Sequence, residues 1–345
     1  MQYRTLGRSG VKVSPFCLGT MMLGGNFNSD HDDCIRIIHK ALDFGINFID
    51  TADIYSVGES EEIVGKALKG RREHVVLASK VFRPMGKDPN QQGTSRRWII
   101  KAVEDSLRRL QTDYIDLYQA HRLSSDTDVE ETLSTFTDLM REGKVRLIGA
   151  TTSPASSIVE AQWIAERRGL ARFRTEQPPY SILNRAIERE ILPACERYGM
   201  GTMAWSPLAK GMLTGRYRKG GQVPDSLRVK MFEKAMTDVP SLDAVEKLIP
   251  LAEEAGMSLI HMALAFVIAH PGMTSAIIGP RTMEQLDGIL AGAETVLTDE
   301  LLDRIDEIVP PGIDIAPLER VAPSPELLRA QARARRRPLE ERPAA

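Results

Sequence analysis

Val75-Val-Leu-Ala-Ser-Lys80 and Tyr114-Ile-Asp-Leu-Tyr-Gln-Ala-His121 each end a short apolar run on a side chain that can hold or share a proton. A third run, Ile46-Asn-Phe-Ile-Asp50, closes on a carboxylate, and Tyr55 follows five residues later. Helix-like stretches separate the three runs. If the runs are successive parallel strands, their carboxyl ends share one rim of one sheet. Asp50, Tyr55, Lys80 and His121 then converge there, a set suited to moving a proton to or from an oxygen.

The same alternation extends along most of the chain. Candidate strands are Val13–Gly19, Ile46–Asp50, Val75–Lys80, Tyr114–Gln119, Val145–Ala150, Phe173–Gln177, Gly201–Trp205 and Ala276–Ile278. Amphipathic segments fall between them: Asp33–Phe44, Ser60–Leu68, Arg97–Leu110, Asp128–Arg141, Pro154–Arg167 and Ala186–Tyr198. Ile37, Ile38, Ala41 and Leu42 recur at helical spacing and Gly45 supplies the stop. Asp128-Val-Glu-Glu resembles a capping-box start. Eight strands in strict alternation predict a closed (β/α)8 TIM barrel in the α/β class. An open dinucleotide-binding sheet should carry GxGxxG after a strand, and neither that motif nor GxxxxGK[ST] occurs. Gly19–Gly25 is glycine-rich with the wrong spacing, and reads as a strand-to-helix turn.

Three parts lie outside the repeat. Tyr3–Leu6 and Val11–Val13, joined by Gly7–Gly10, read as an N-terminal β-hairpin capping the barrel floor. Ser206–Ser275 is too long for one βα link and should hold a loop plus helices. Beyond Pro310-Pro311-Gly312 the periodicity stops. The expected organisation is one barrel over residues 1–310 with C-terminal extra helices, and a partly irregular extension over 311–345 whose Arg-rich Leu328–Arg337 reads as a solvated tail.

Bulk composition is that of an ordinary globular protein, with 42% hydrophobic and 27% charged residues. A formal charge of −2 gives no general attraction to nucleic acid or anionic lipid. Cys17, Cys34 and Cys195 are widely spaced without CxxC, which argues against a disulfide framework or metal site and for a reducing, cytoplasmic setting. No signal peptide is visible, and the longest apolar stretch, Met262–Ala269, is too short to span a bilayer.

A free tyrosine titrates near pH 10, so proton donation near neutrality calls for a depressed pKa. An ammonium within about 4 Å is worth about 4 kcal/mol at an effective dielectric near 20. A two-unit shift needs only about 2.7 kcal/mol. Tyr55 therefore reads as the acid, Lys80 as its tuner, Asp50 as the anion that keeps Lys80 charged, and His121 as the group orienting a carbonyl. Taken singly, each has an ordinary structural reading.

Phe48-Ile-Asp-Thr-Ala-Asp-Ile-Tyr55, Leu77-Ala-Ser-Lys80, Asp113-Tyr-Ile-Asp-Leu-Tyr-Gln-Ala-His121 and Gly143-Lys-Val-Arg-Leu-Ile-Gly149 closely resemble the aldo-keto reductase family, from about Arg4 to about Ile308. The resemblance implies an NADP(H)-dependent barrel that reduces aldehydes or ketones, small-molecule substrates, with Asp50, Tyr55, Lys80 and His121 as its tetrad. Gln177 then faces the nicotinamide carboxamide, where locally it could equally be a turn residue. Trp205 supplies a face for the nicotinamide ring. Ser206-Pro-Leu-Ala-Lys-Gly-Met-Leu-Thr-Gly215 resembles the loop that straps the pyrophosphate, through Ser206, Pro207, Leu208, Lys210, Gly211 and free backbone N–H groups. Arg281 in Ile278-Gly-Pro-Arg-Thr-Met-Glu-Gln285 implies a 2′-phosphate and hence NADP, with Gln285 reaching adenine. By the same resemblance Gly19, Thr20, Met21, Thr151, Thr152 and Gly279 line the cofactor.

Some positions depart from that pattern. Thr151-Thr152 stands where a Ser-Asn pair is usual, Lys210 where a small residue is common, and Ile289 where an asparagine is frequent. Arg83–Arg96, the segment after His121 and the Ser206–Ser275 insertion should shape substrate choice. Met21, Met22 and Trp98 are candidate apolar walls, although Trp98 reads better as helix packing. Two other functions stay open: a nucleotide-sensing auxiliary subunit with slow chemistry, and a barrel lyase or isomerase acting on a phosphorylated sugar. Neither substrate nor oligomeric state is legible.

Overall fold

The computed structural model describes residues 1–25, 27–221, 233 and 237–316. The Arg-rich segment Leu328–Arg337 and part of the Ser206–Ser275 insertion lie outside the described residues. Strands β1 (Arg4–Thr5) and β2 (Lys12–Val13) pair antiparallel as the expected hairpin. Eight parallel strands follow: β3 (Phe16–Gly19), β4 (Phe48–Asp50), β5 (Val76–Val81), β6 (Ile115–Ala120), β7 (Val145–Thr151), β8 (Thr175–Gln177), β9 (Gly201–Ala204) and β10 (Ser275–Ile278). They close in sequence order, with β10 pairing back to β3, so the chain folds as a (β/α)8 barrel.

Helices α1 (His31–Asp43), α2 (Glu59–Ala67), α3 (Arg96–Leu110), α4 (Val129–Arg141), α5 (Ala155–Arg168) and α6 (Ile191–Tyr198) follow the first six barrel strands in turn. After β9 come α7 (Val239–Glu254) and α8 (Leu259–Ala269); after β10 come α9 (Met283–Leu290) and α10 (Asp299–Ile308), which packs on α7. Asp30 caps α1 by accepting from the Asp33 N–H, and Ser95 caps α3 by accepting from that of Trp98. Asp128 occupies the N-cap position of α4, but its side chain makes no cap bond, so the expected capping box is not formed. The single helix expected over Ala186–Tyr198 is a short 3-10 turn, Ala186–Glu188, followed by α6. Pro193 suits the late start: it falls in the first turn of α6, where its missing N–H costs no intrahelical bond. Trp98 is buried among the helices as core packing.

Register decides which side chains enter the barrel. Phe48 pairs with Val76, Ala78 with Leu117, and Leu117 with Leu147, and with Cys17 and Met203 these form an apolar lower filling packed on Leu6 and Val13 of the hairpin. Two residues farther along the same inward rows come Asp50, Lys80, Gln119 and Gly149, and above Gly149 comes Thr151, paired with Gln177. The upper barrel is thus a polar layer resting on an apolar one. Gly149 is required there: a Cβ at that point would lie 2.0 Å from Thr175 Oγ1. All three cysteines are free and buried. Among the described residues no single helix is long and apolar enough to cross a membrane.

Candidate active site

Lys80 is fully buried and its ammonium has three protons to place. It donates to Asp50 Oδ2 at 2.5 Å, to the Thr51 carbonyl at 2.8 Å and to Tyr55 Oη at 3.1 Å. Because an ammonium cannot accept, Tyr55 Oη must be the acceptor, and the phenolic proton is left to point elsewhere. Asp50 is held from its other side by the Gln119 and Gln177 amides, which both donate to Oδ1, at 3.2 and 2.9 Å. The His121 ring stands edge-on to that of Tyr55, with centroids 6.1 Å apart. Four residues from three neighbouring strand ends therefore meet at one point of the upper rim.

Burial governs the electrostatics. It pushes the Tyr55 phenol above its ordinary pKa; Lys80 pulls it down, and Asp50 pushes it up. The depressed tyrosine expected from sequence is therefore not what the structure has, because desolvation outweighs the neighbouring charge. Burial also opposes the Lys80 charge, yet Asp50 and then Tyr55 raise its pKa overall and keep it an ammonium. Burial, then Lys80, Arg122 and Arg83, hold His121 well below the usual imidazole range. His121 is a neutral ring at physiological pH. Its Nδ1 is buried without a hydrogen-bond partner among the described residues.

A family model for the aldo/keto reductase family matches residues 15–310. The chain belongs to the aldo/keto reductase family. It is 41% identical over 323 residues to the uncharacterized oxidoreductase YrpG of Bacillus subtilis, covering 90% of this chain and 96% of that protein. It is also 35% identical over 320 residues to a probable voltage-gated potassium channel subunit beta of Oryza sativa, covering 90% and 97%. A third relative, the versiconal hemiacetal acetate reductase of Aspergillus parasiticus, is 34% identical over 337 residues, covering 89% and 96%.

Members of this family typically use a nicotinamide cofactor, and several residues of this aldo/keto reductase suit one. Trp205, directly after β9, donates from its indole Nε1 to Thr152 Oγ1 at 3.1 Å, which fixes the ring beside the ends of β7 and β8. Thr152 thus props Trp205. Thr151 is turned inward, donating to the His121 carbonyl and accepting from Arg122 Nη1. The amide nitrogen of Gln177 is committed to Asp50, which leaves its carbonyl oxygen for a carboxamide.

The loop after Trp205 differs from expectation. Ala209 N donates to the Ser206 carbonyl, Lys210 N to Ser206 Oγ and Gly211 N to the Leu208 carbonyl. These N–H groups are spent inside the loop and are not free for phosphate. Ser206, Ala209 and Lys210 hold left-handed backbone, a conformation that costs non-glycine residues energy and tends to mark ligand-binding turns. Arg281 is exposed just before α9; its N–H donates to Gln285 Oε1 while Thr282 Oγ1 accepts from the Gln285 N–H. The Gln285 carbonyl oxygen is accordingly used locally. Gly19, Thr20 and Met21 lie at the end of β3, with Thr20 buried and Met21 exposed; Pro207 and Leu208 open the loop after Trp205, and Gly279 follows β10. Ile289 is core.

Sequence reading missed Gln119 and the support behind Tyr55. Gln119 pairs with Lys80 in the barrel register, and its place two residues before His121 was the available signal. Behind the tetrad, Glu61 accepts from Ser79 Oγ and from Arg109, and Asp53 is buried with neither carboxylate oxygen hydrogen-bonded among the described residues.

Proposed function

We propose that this aldo/keto reductase uses NADP(H) to reduce aldehyde or ketone carbonyls to alcohols, with Tyr55 as the proton donor. The observation that carries this reading is the Lys80 ammonium held between Asp50 and the Tyr55 hydroxyl, 2.5 and 3.1 Å away, at the barrel rim. The chemistry a nicotinamide cofactor would supply, when bound, is a two-electron hydride for the carbonyl carbon. The residues of the chain manage the proton and the charge. Tyr55, protonated in its partly buried setting, directs its hydrogen at the carbonyl oxygen. His121, uncharged, orients that oxygen from the other side. As negative charge develops on the oxygen the phenol gives up its proton, and Lys80 stabilises the resulting phenolate, charge stabilisation needed mainly in the transition state. Asp50, pinned by Gln119 and Gln177, keeps Lys80 charged throughout.

Trp205 and Gln177 favour nicotinamide against the β7–β9 side of the rim, and Arg281 favours a 2′-phosphate near α9. Three free, buried cysteines suit a reducing, cytoplasmic compartment. Tyr55→Phe should abolish most NADPH-dependent turnover while NADPH still binds; turnover close to wild type would refute the assignment. A second reading, an auxiliary subunit that senses nucleotide, is favoured by the likeness to proteins named potassium channel beta subunits. Tight NADPH binding with negligible turnover across aldehydes and ketones would select it.

A further inference from the structure

We infer that Arg83 receives a carboxylate on the carbonyl substrate, so that the preferred substrates of this enzyme are anionic aldehydes or ketones. The inference rests on the reductase reading and concerns the end of the substrate that does not react.

Arg83 lies two residues beyond β5, whose last residue, Val81, accepts from the His121 N–H at 2.9 Å. The loop it begins is closed at its neck by the Gly93 N–H donating to the Phe82 carbonyl at 2.7 Å. That loop packs on the segment after His121: a Cβ on Gly93 would sit 3.2 Å from Ser124 Oγ. Arg83 therefore emerges where the two loops expected to shape the pocket meet, next to the tetrad. In the closed eight-strand order, β5 lies four strands from β9 in either direction. A nicotinamide placed by Gln177 and Trp205 occupies the opposite side and leaves the Arg83 side to substrate.

The guanidinium is half-buried, yet it forms no ion pair or hydrogen bond among the described residues. Arg72 and Arg109, also partly buried, and the buried Arg185 each hold a carboxylate. Of the charges that act on His121, Lys80, Arg122 and Arg83 are all positive, and the nearby Asp50 carboxylate is already bonded to Lys80. Among the described residues, the Arg83 charge is thus left without a paired acid. A guanidinium can meet a carboxylate with two parallel N–H···O bonds, a recognition mode that also fixes orientation. Anchoring the far end of the substrate this way would present its carbonyl to Tyr55 and His121.

The test compares 4-formylbenzoate with its methyl ester in steady-state assays of the wild type, Arg83→Met and Arg83→Lys. The wild type should favour the acid, mainly through KM. Arg83→Met should shift the acid-to-ester ratio of kcat/KM by about ten- to a hundred-fold toward the ester, the worth of a charge-assisted hydrogen bond. Arg83→Lys should recover part of that ratio. A wild type indifferent to the charge, or a Met variant that loses equally on both compounds, would overturn the inference while leaving the reductase reading intact. If neither aldehyde is reduced, calorimetric titration with benzoate and benzamide decides the point separately. Benzoate binding that exceeds benzamide binding and disappears in Arg83→Met would retain the anion site and remove the reductase reading. Benzoate binding that is absent, or unaffected by the substitution, would remove the Arg83 assignment.

Discussion

Asp53→Asn should make the protein more stable, by an amount that grows with pH. Asp53 is 1% exposed, with neither carboxylate oxygen hydrogen-bonded among the described residues. Burial, then Glu61, raises its pKa from 3.8 to about 8, against the pull of the Ile54 N–H, Arg109 and Lys80. The folded protein therefore keeps a proton that the unfolded chain releases. Stability from this group is fully present below about pH 4 and falls as pH rises, until the folded carboxyl itself ionises near 8. Each unit of separation is worth about 1.4 kcal/mol, so four units set a ceiling of about 6 kcal/mol. Relaxation and water entry around an ionised Asp53 should reduce the realised loss to roughly 2–4 kcal/mol. Asparagine has nearly the shape of the protonated acid and no titration, so it should remove the slope. Urea unfolding of both proteins at pH 4.5, 7 and 8.5 measures this directly. The advantage of the variant should be about 1 kcal/mol or less at pH 4.5 and at least about 2 kcal/mol at pH 8.5. Glu176, raised to about 7 by burial, adds a slope of the same sign to both proteins and cancels in the difference. A difference that stays constant across the three pH values would show that Asp53 is ionised in the fold and refute the reasoning.

Lys80→Met should destabilise by about 3–5 kcal/mol in urea unfolding, because the buried Asp50 charge loses its partner. Adding Asp50→Asn should restore much of that stability without restoring turnover, and recovery of both would argue against a catalytic Lys80. Since His121 is already neutral and Tyr55 still protonated, kcat/KM for carbonyl reduction should be level from about pH 6.5 to 8. A break near 6.5 that disappears in His121→Gln would show that the imidazole titrates in that range. Arg281→Ala should weaken NADPH by about ten-fold and NADH by much less, measured by quenching of tryptophan fluorescence; equal losses would exclude a 2′-phosphate contact.

The barrel and the meeting of Asp50, Tyr55, Lys80 and His121 at its rim were legible because both follow from local pattern. Strand-length apolar runs recur at the spacing of a βα unit, and chemically distinctive residues stand at the ends of three of them. What escaped the sequence depends on contacts across the barrel. Gln119 looks like one more residue of an apolar strand, until register with Lys80 turns it toward Asp50. Thr152 props Trp205 across 53 positions of sequence, and the amide of Gln177 reaches Asp50 across 127. Pro193 was a local signal for the late start of α6, whereas nothing local announces that Asp128 makes no cap bond.

The Tyr55 pKa shows most clearly why local reasoning fell short. A nearby ammonium suffices, on Coulomb's law alone, to depress a phenol, and that argument omits the cost of burying the phenolate. In the folded protein the cost is larger, and the resting phenol is a weaker acid than free tyrosine. This does not weaken its case as a proton donor. A donor that ionised in the resting state would have no proton to deliver and would repel the electron-rich oxygen it must serve. Lys80, with one proton fixed on Asp50, one on the Thr51 carbonyl and one on Tyr55 Oη, adds little while the phenol is neutral. Its attraction becomes large only as the phenolate forms. On the proposed mechanism, the same burial that raises the resting pKa would strengthen the lysine at the moment of proton transfer, and stabilisation confined to that moment would lower the barrier without holding the reactants in place.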